Sequence, residues 1–162
     1  MNEKPTSIIE ESKQHLMLHF DGIQFPSRDA VSERAAILKK EFPGWKMADF
    51  FAEIIPDKTF ESNDKILLFF GLEKFRFINS IPEYATLKKH DLIAFTSDRG
   101  GDLYCVKSKE DGLKVYRVYF PSLYDGQLEE YLREFNIFPR FMDAYLENKE
   151  RIRRIKQGYK EK

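Results

Sequence analysis

Cysteine is almost absent from this chain, with Cys105 the single one among 162 residues. It has no partner for an internal disulfide, so no cross-linked framework holds the fold. A reducing compartment is the expected setting. No apolar run approaches the roughly eighteen residues needed to cross a bilayer. The longest, Ile66-Leu67-Leu68-Phe69-Phe70, is of strand length. The opening Met1-Asn2-Glu3-Lys4-Pro5 lacks the basic-then-apolar order of a signal peptide. These absences together predict a cytoplasmic chain without membrane contact. Net charge is missing too: 27 Lys and Arg balance 27 Asp and Glu. That balance argues against a whole-domain basic surface for nucleic acid. There is no internal repeat, low-complexity stretch or linker, so the expectation is one domain over residues 1–162.

Aromatic residues are plentiful, with 15 Phe, 8 Tyr and a single Trp. Each large ring can bury roughly 150–250 Å². A chain of this length can therefore build a core without metal or disulfides. The same rings would also serve as anchors in a protein interface, and composition does not separate the two uses. Charge is unevenly placed. From 149 to 162 there are seven basic and two acidic residues, which leaves that tail at +5 and residues 1–148 at −5. The tail residues Arg151-Ile152-Arg153-Arg154-Ile155-Lys156 carry no interleaved ring, and only Tyr159 follows. Base stacking needs such rings among the cations. The tail near 156–162 thus reads as a basic, frayed helix end, where cations also suit the helix dipole.

Helical patterns come first along the chain. Ser7-Ile8-Ile9-Glu10 has the spacing of a capping box, followed by Ile9, Leu16 and Phe20 on one face and a stop at Asp21-Gly22. Pro26-Ser27 opens a second helix with the stripe Val31, Ala35, Leu38 and Phe42. A third covers 45–55 and ends at Pro56-Asp57. The middle reads as strands at 65–70, 75–78, 91–97, 102–107 and 113–120, joined by short turns and therefore antiparallel. Helices return with Asp125 as N-cap for Leu128, Tyr131, Leu132 and Phe135. A last helix starts at Pro139, with Met142, Tyr145, Leu146 and Ile152 on its apolar side. This order predicts an α+β fold: a twisted antiparallel sheet in the middle of the chain, with helices at both ends packed around it.

Few constellations carry chemistry. Glu11, His15 and His19 share one face of the first helix, and two His four apart can reach one metal. The plainer reading is a pair of partly exposed histidines on a solvated face, because zinc needs more ligands and His90 is far away in sequence. Asp98-Arg99-Gly100-Gly101-Asp102 lacks the patterns of a phosphate loop, a dinucleotide fingerprint or a calcium loop. Its glycines suit positive φ in a hairpin turn, and its carboxylates suit local backbone hydrogen bonds. Two carboxylates flanking a turn act as acid and base only with a pocket and split pKa values. Cys105 reads as a small buried strand residue, and no serine sits in a nucleophile elbow. No catalytic, cofactor or metal residue is assigned.

The stretch Ile93-Ala94-Phe95-Thr96-Ser97-Asp98-Arg99-Gly100-Gly101-Asp102-Leu103-Tyr104-Cys105 resembles the central signature of the SUKH superfamily, the Smi/Knr-like proteins. Phe95 closes an apolar strand, Asp98, Gly101 and Asp102 form the turn, and Tyr104 opens the next strand. Phe42-Pro43-Gly44-Trp45 and Phe50-Phe51 resemble the family's N-terminal step and aromatic helix, but the Asn-Gly pair that often follows is missing. The resemblance implies an α+β fold and a non-enzymatic binding role. Many bacterial members are immunity proteins that bind and neutralise a cognate toxin of a polymorphic toxin system; others are regulatory or scaffold modules. The implied partner is a protein, a toxin domain in the immunity branch, and the −5 body would steer a basic one. The expected contact region is the turn, with Asp98, Arg99, Asp102, Tyr104 and Tyr116, the two tyrosines as exposed anchors. The alternatives are an intracellular scaffold of the same fold and a small metal-dependent hydrolase using Glu11, His15 and His19.

Overall fold

The computed structural model describes residues 7–138 and 140–142. The fold is α+β. Three helices come first: α1 Ser7–His19, α2 Arg28–Glu41 and α3 Ala48–Ile54. Six strands follow: β1 Phe60–Glu61, β2 Leu67–Phe69, β3 Leu92–Asp98, β4 Leu103–Lys107, β5 Lys114–Val118 and β6 Arg133–Ile137. They form one sheet in sequence order, every neighbouring pair antiparallel. The β2–β3 connection holds α4 Leu72–Ile78 and α5 Ala85–Lys89, with a 3-10 turn Pro82–Tyr84 between them. The β5–β6 connection holds α6 Ser122–Asp125 and α7 Leu128–Tyr131. No described helix is long and apolar enough to cross a membrane.

Local signals explain the first helices. In α1, Leu16 and Phe20 are fully buried and Ile9 packs against the core. Its C-terminal end is closed from the β1–β2 loop. Asn63 donates its backbone N–H to the His19 carbonyl at 2.8 Å and its side-chain amide to Leu18 at 3.1 Å. Those carbonyls have no helical partner of their own. Ser27 caps α2 by accepting from the Ala30 N–H at 3.3 Å. Buried beside the apolar stripe is a charged residue, Arg34. It donates to the Ile55 carbonyl at 2.6 Å and pairs with Asp57. The guanidinium thereby satisfies the end of α3, which begins at Ala48 rather than Trp45.

The core is built from rings. Phe95 on β3 meets Phe51 of α3, Phe69 of β2, Phe138 and Phe141, with centroids 5.3–6.2 Å apart. A second cluster stacks Trp45 on Phe51 at 5.2 Å and on Phe75 at 6.0 Å. Residues 92–96 are buried in succession. Because successive strand side chains face opposite sides, β3 is covered on both faces.

Two expected elements differ. Residues 75–78 lie in α4, not in a strand. Phe75 and Ile78, three apart, are buried, whereas Phe77 is 58% exposed, so the apolar run follows the helical period. Gly71 caps the helix and Glu73 sits in its first turn, where sequence reading placed a strand-to-strand turn. Phe135 lies in β6 rather than in a helix. Asp125 ends α6 instead of capping the next helix, and α7 stops after four residues at Leu132, whose backbone is extended. The chain then pairs with β5, Lys114 facing Ile137 and Arg117 facing Arg133. Pairing covers a sheet edge that would otherwise expose its N–H and C=O groups, and this outweighs helix propensity. The sheet thus reaches nearly to the end of the described chain. Phe141 and Met142 are helical and buried; Pro139, Tyr145, Leu146, Ile152 and the basic tail lie outside the described residues, as does the side chain of Ser7.

Candidate functional site

The 98–102 turn is a closed knot of hydrogen bonds. Asp98 Oδ1 accepts from the Gly100 N–H at 3.0 Å and the Asp102 N–H at 3.1 Å. Its Oδ2 accepts from the Tyr104 hydroxyl at 3.0 Å and from Arg117 at 3.4 Å. Asp102 uses one oxygen for Arg117 Nε at 3.0 Å and the other for the Phe120 N–H at 2.8 Å. Gly101 has φ +95°, and an added Cβ would lie 3.3 Å from the Phe120 ring. Arg117 spans the knot over the Tyr104 ring, 5.7 Å from its centroid. Burial opposes the Arg117 charge, but Tyr104, Asp102 and Asp98 outweigh it and hold the guanidinium above its ordinary value. Charge-assisted bonds of this kind are the strong ones. Both carboxylates are consumed in tying β3, β4 and β5 together, which leaves no free pair for acid–base work.

This geometry corrects the expected anchors. Tyr104 is 0% exposed and Tyr116 4%. Both sit in interior strands and neither is an exposed anchor: Tyr104 is sealed in the core, and Tyr116 shows only an edge at the floor of a cleft lined by Lys89, His90 and Glu129. Tyr104 packs on Phe135 at 5.5 Å and Phe141 at 5.8 Å. The Tyr116 hydroxyl donates to Glu110 at 2.8 Å while Lys107 lies 4.6 Å over its ring. Burial, then the hydrogen bond and charge of Glu110, push the Tyr116 phenol up. Asp98 is buried as well and Asp102 half-buried; of the five residues, only Arg99 is exposed.

Three exposed tyrosines lie elsewhere, on the β5–β6 connection. Tyr119, Tyr124 and Tyr131 are 45%, 58% and 41% exposed. Tyr119 and Tyr131 pack at 5.3 Å, and Tyr124 lies 5.5 Å from Phe120 and 6.5 Å from the half-buried Tyr84. Burial, then Tyr124 and Glu83, push the Tyr84 phenol up. The knot positions these rings, since Asp102 holds the Phe120 backbone and Phe120 supports Tyr124. The buried Ser122 hydroxyl donates to the Tyr119 carbonyl at 2.6 Å and tightens the bend after β5. Glu129 and Glu130 are exposed on α7, and Glu83 is exposed on the 3-10 turn next to Tyr84. Tyrosines give large, stiff, amphipathic contact area at low entropy cost. Sequence reading missed them although a signal was present. Tyr119-Phe120-Pro121-Ser122-Leu123-Tyr124-Asp125-Gly126 places rings among turn formers, and connecting segments run over the surface.

Other candidates are occupied or inert. Glu11 pairs with Arg140 at 3.0 Å, and His15 Nδ1 lies 3.2 Å from the Glu11 carbonyl. Among the described residues no group of three or more His, Cys, Asp or Glu side chains is placed to hold a metal. The cluster that the hydrolase alternative requires is therefore not assembled there. Cys105 is fully buried, and burial pushes its thiol well above the ordinary range, which suppresses the thiolate. Ser62, His19 and Asp64 line a small cavity of roughly 100 Å³. There the Ser62 hydroxyl donates to Asp64 at 2.6 Å and accepts from the Ile66 and Leu67 N–H groups. With the carboxylate directly on the serine, no histidine stands between them as a triad requires.

Comparison with protein-family models, with curated proteins and with solved structures finds no match to this chain.

Proposed function

We propose that the chain is a non-enzymatic protein-binding domain of the SUKH type, acting in the cytoplasm as an immunity protein that binds and neutralises a cognate toxin. The observation that carries the binding role is the exposed set Tyr119, Tyr124 and Tyr131 on one connection braced by the Asp98–Arg117 knot. Hot spots of interfaces are enriched in tyrosine held in rigid surroundings. The consumed carboxylates and the buried thiol favour binding over catalysis. The immunity role rests on the resemblance of the 93–105 stretch, whose Asp, Gly and Tyr positions have a shared structural purpose in the knot.

The test is affinity capture from the source cells, with the wild-type chain and a variant carrying Tyr119→Ala, Tyr124→Ala and Tyr131→Ala as baits. None of the three rings belongs to the buried core, and Trp45 emission of the variant checks that it folds. The expected result is a stoichiometric toxin-like domain held by the wild type and lost from the variant, whose toxicity the wild type relieves. Capture of signalling or envelope-associated proteins would move the reading to a scaffold module. Equal capture by both baits would refute the tyrosine surface.

A further inference from the structure

A separate open surface lies along α4, which forms one wall of a cleft of roughly 800 Å³. Ligand sites typically measure about 300–1,000 Å³. Phe42 at the end of α2, with Leu72 and Phe77 on α4, supplies its apolar lining. The charges are sorted along the helix. Asp57 and Glu73 belong to its N-terminal end, where the Leu72 N–H donates to the Pro56 carbonyl at 2.9 Å. Midway, Glu41 and Arg76 neutralise each other. Lys88, on α5, lines the same cleft as Asn79 and Ser80, which follow the C-terminal end of α4. It also lines a neighbouring cavity of roughly 220 Å³ with Glu41, Asp91, Leu92 and Ile93, which Asp57 and Glu73 do not reach; Arg76 and Lys109 pair with the two acids there. Glu73 and Lys88 are exposed, and neither has an ion-pair partner among the described residues.

We propose that this cleft binds a short extended segment of another protein, with a basic side chain at one end, two apolar side chains in the middle and an acidic side chain at the other. The basic group meets Glu73, the unpaired acid at that end, since Arg34 already balances Asp57; the apolar pair covers Leu72, Phe42 and Phe77, and the acidic group meets Lys88. The dimensions agree. The seven residues of α4 rise about 10 Å, and four residues of extended chain span a similar length, about 10 Å between the outer Cα atoms. A free amino acid spans too little of the cleft, and a simple ion engages one end only. None of the exposed tyrosines lines the cleft, so the inference is independent of the proposed toxin surface.

The test is a calorimetric and amide-shift titration of the full chain with the capped peptide acetyl-Lys-Leu-Leu-Glu-amide, against capped Lys-Leu-Leu-Lys and Glu-Leu-Leu-Glu. The mixed peptide is expected to bind tightest, with saturable shifts at Phe77, Ser80 and Lys88. Lys88→Glu replaces an exposed side chain and preserves the fold. It should weaken the mixed peptide about tenfold and strengthen Lys-Leu-Leu-Lys about tenfold, since an attraction becomes a repulsion and the reverse. Phe77→Ala should weaken all three peptides. Absence of saturable shifts, or an unchanged peptide preference in Lys88→Glu, would overturn the assignment. So would loss of peptide binding on substituting Tyr119, Tyr124 and Tyr131, which would place the peptide on the tyrosine surface. Unchanged binding in that variant supports the cleft whatever the outcome of the capture experiment.

Discussion

Replacing Asp98 with Ala strips an acceptor from four donors at once. The Gly100 and Asp102 N–H groups lie in a turn reached by water, so each loss costs about 0.5–1 kcal/mol. The Tyr104 hydroxyl belongs to a fully buried residue, and losing its Asp98 acceptor costs about 1–2 kcal/mol. Arg117 keeps Asp102 and its side chain is 37% exposed, so solvent screening limits its share to below about 1 kcal/mol. The sum is about 2–5 kcal/mol, a large part of the roughly 5–15 kcal/mol that holds a domain together. For a domain of this size the midpoint of thermal unfolding should fall by about 10 °C. Urea melts followed by Trp45 fluorescence report it directly, since Trp45 is the single tryptophan and stacks in the core. Asp98→Asn keeps an oxygen for the two N–H groups and should cost about half as much. Arg99→Ala, next in the chain and exposed, should change stability by less than about 0.5 kcal/mol. The reasoning fails if Asp98→Ala stays within about 1 kcal/mol of wild type, or if the Asn and Ala variants cost the same.

Three further outcomes follow from the packing. A Cβ on Gly71 would lie 2.3 Å from the Lys58 carbonyl carbon, backbone that cannot step aside, so Gly71→Ala should cost about 2–4 kcal/mol by urea melt; a neutral substitution would show that this approach is not tight. The raised Tyr116 phenol keeps its proton in the folded chain where the unfolded chain has released it, so its contribution is complete below pH about 10 and is lost as pH rises beyond that. Melts across alkaline pH should show stability falling there, and Tyr116→Phe should flatten the slope; an equal slope in both proteins contradicts the assignment. Burial should make Cys105 react with an aromatic disulfide reagent at least about a thousandfold more slowly than in the unfolded chain, and labelling at the free-thiol rate would show that β4 opens locally.

Much of the fold was legible locally. Ser27, Pro43 and Pro56-Asp57 punctuate the N-terminal helices as their chemistry requires, and Asp98-Arg99-Gly100-Gly101-Asp102 announces a hairpin with positive φ at Gly101. Two elements were not legible, because competing periods overlap. Phe75 and Phe77 imitate strand alternation although the burial partners are Phe75 and Ile78. Phe135 continues a helical stripe with Leu128 and Tyr131, yet the open edge of β5 claims its strand for pairing and leaves Phe135 as the bulged residue between Glu134 and Asn136.

The functional surface divides in the same way. The sequence alone determined a chain without disulfides, rich in rings, with a Gly-Gly turn flanked by two aspartates, because those properties depend on residue type and near neighbours. Only the tertiary structure decided which rings face water. Tyr104 and Tyr116 are withdrawn into interior strands, while Tyr119, Tyr124 and Tyr131 are displayed on a connection braced from beneath. Exposure depends on what packs against a residue from distant parts of the chain: Asp102 reaches Phe120 across 18 positions, and no local pattern encodes such a contact.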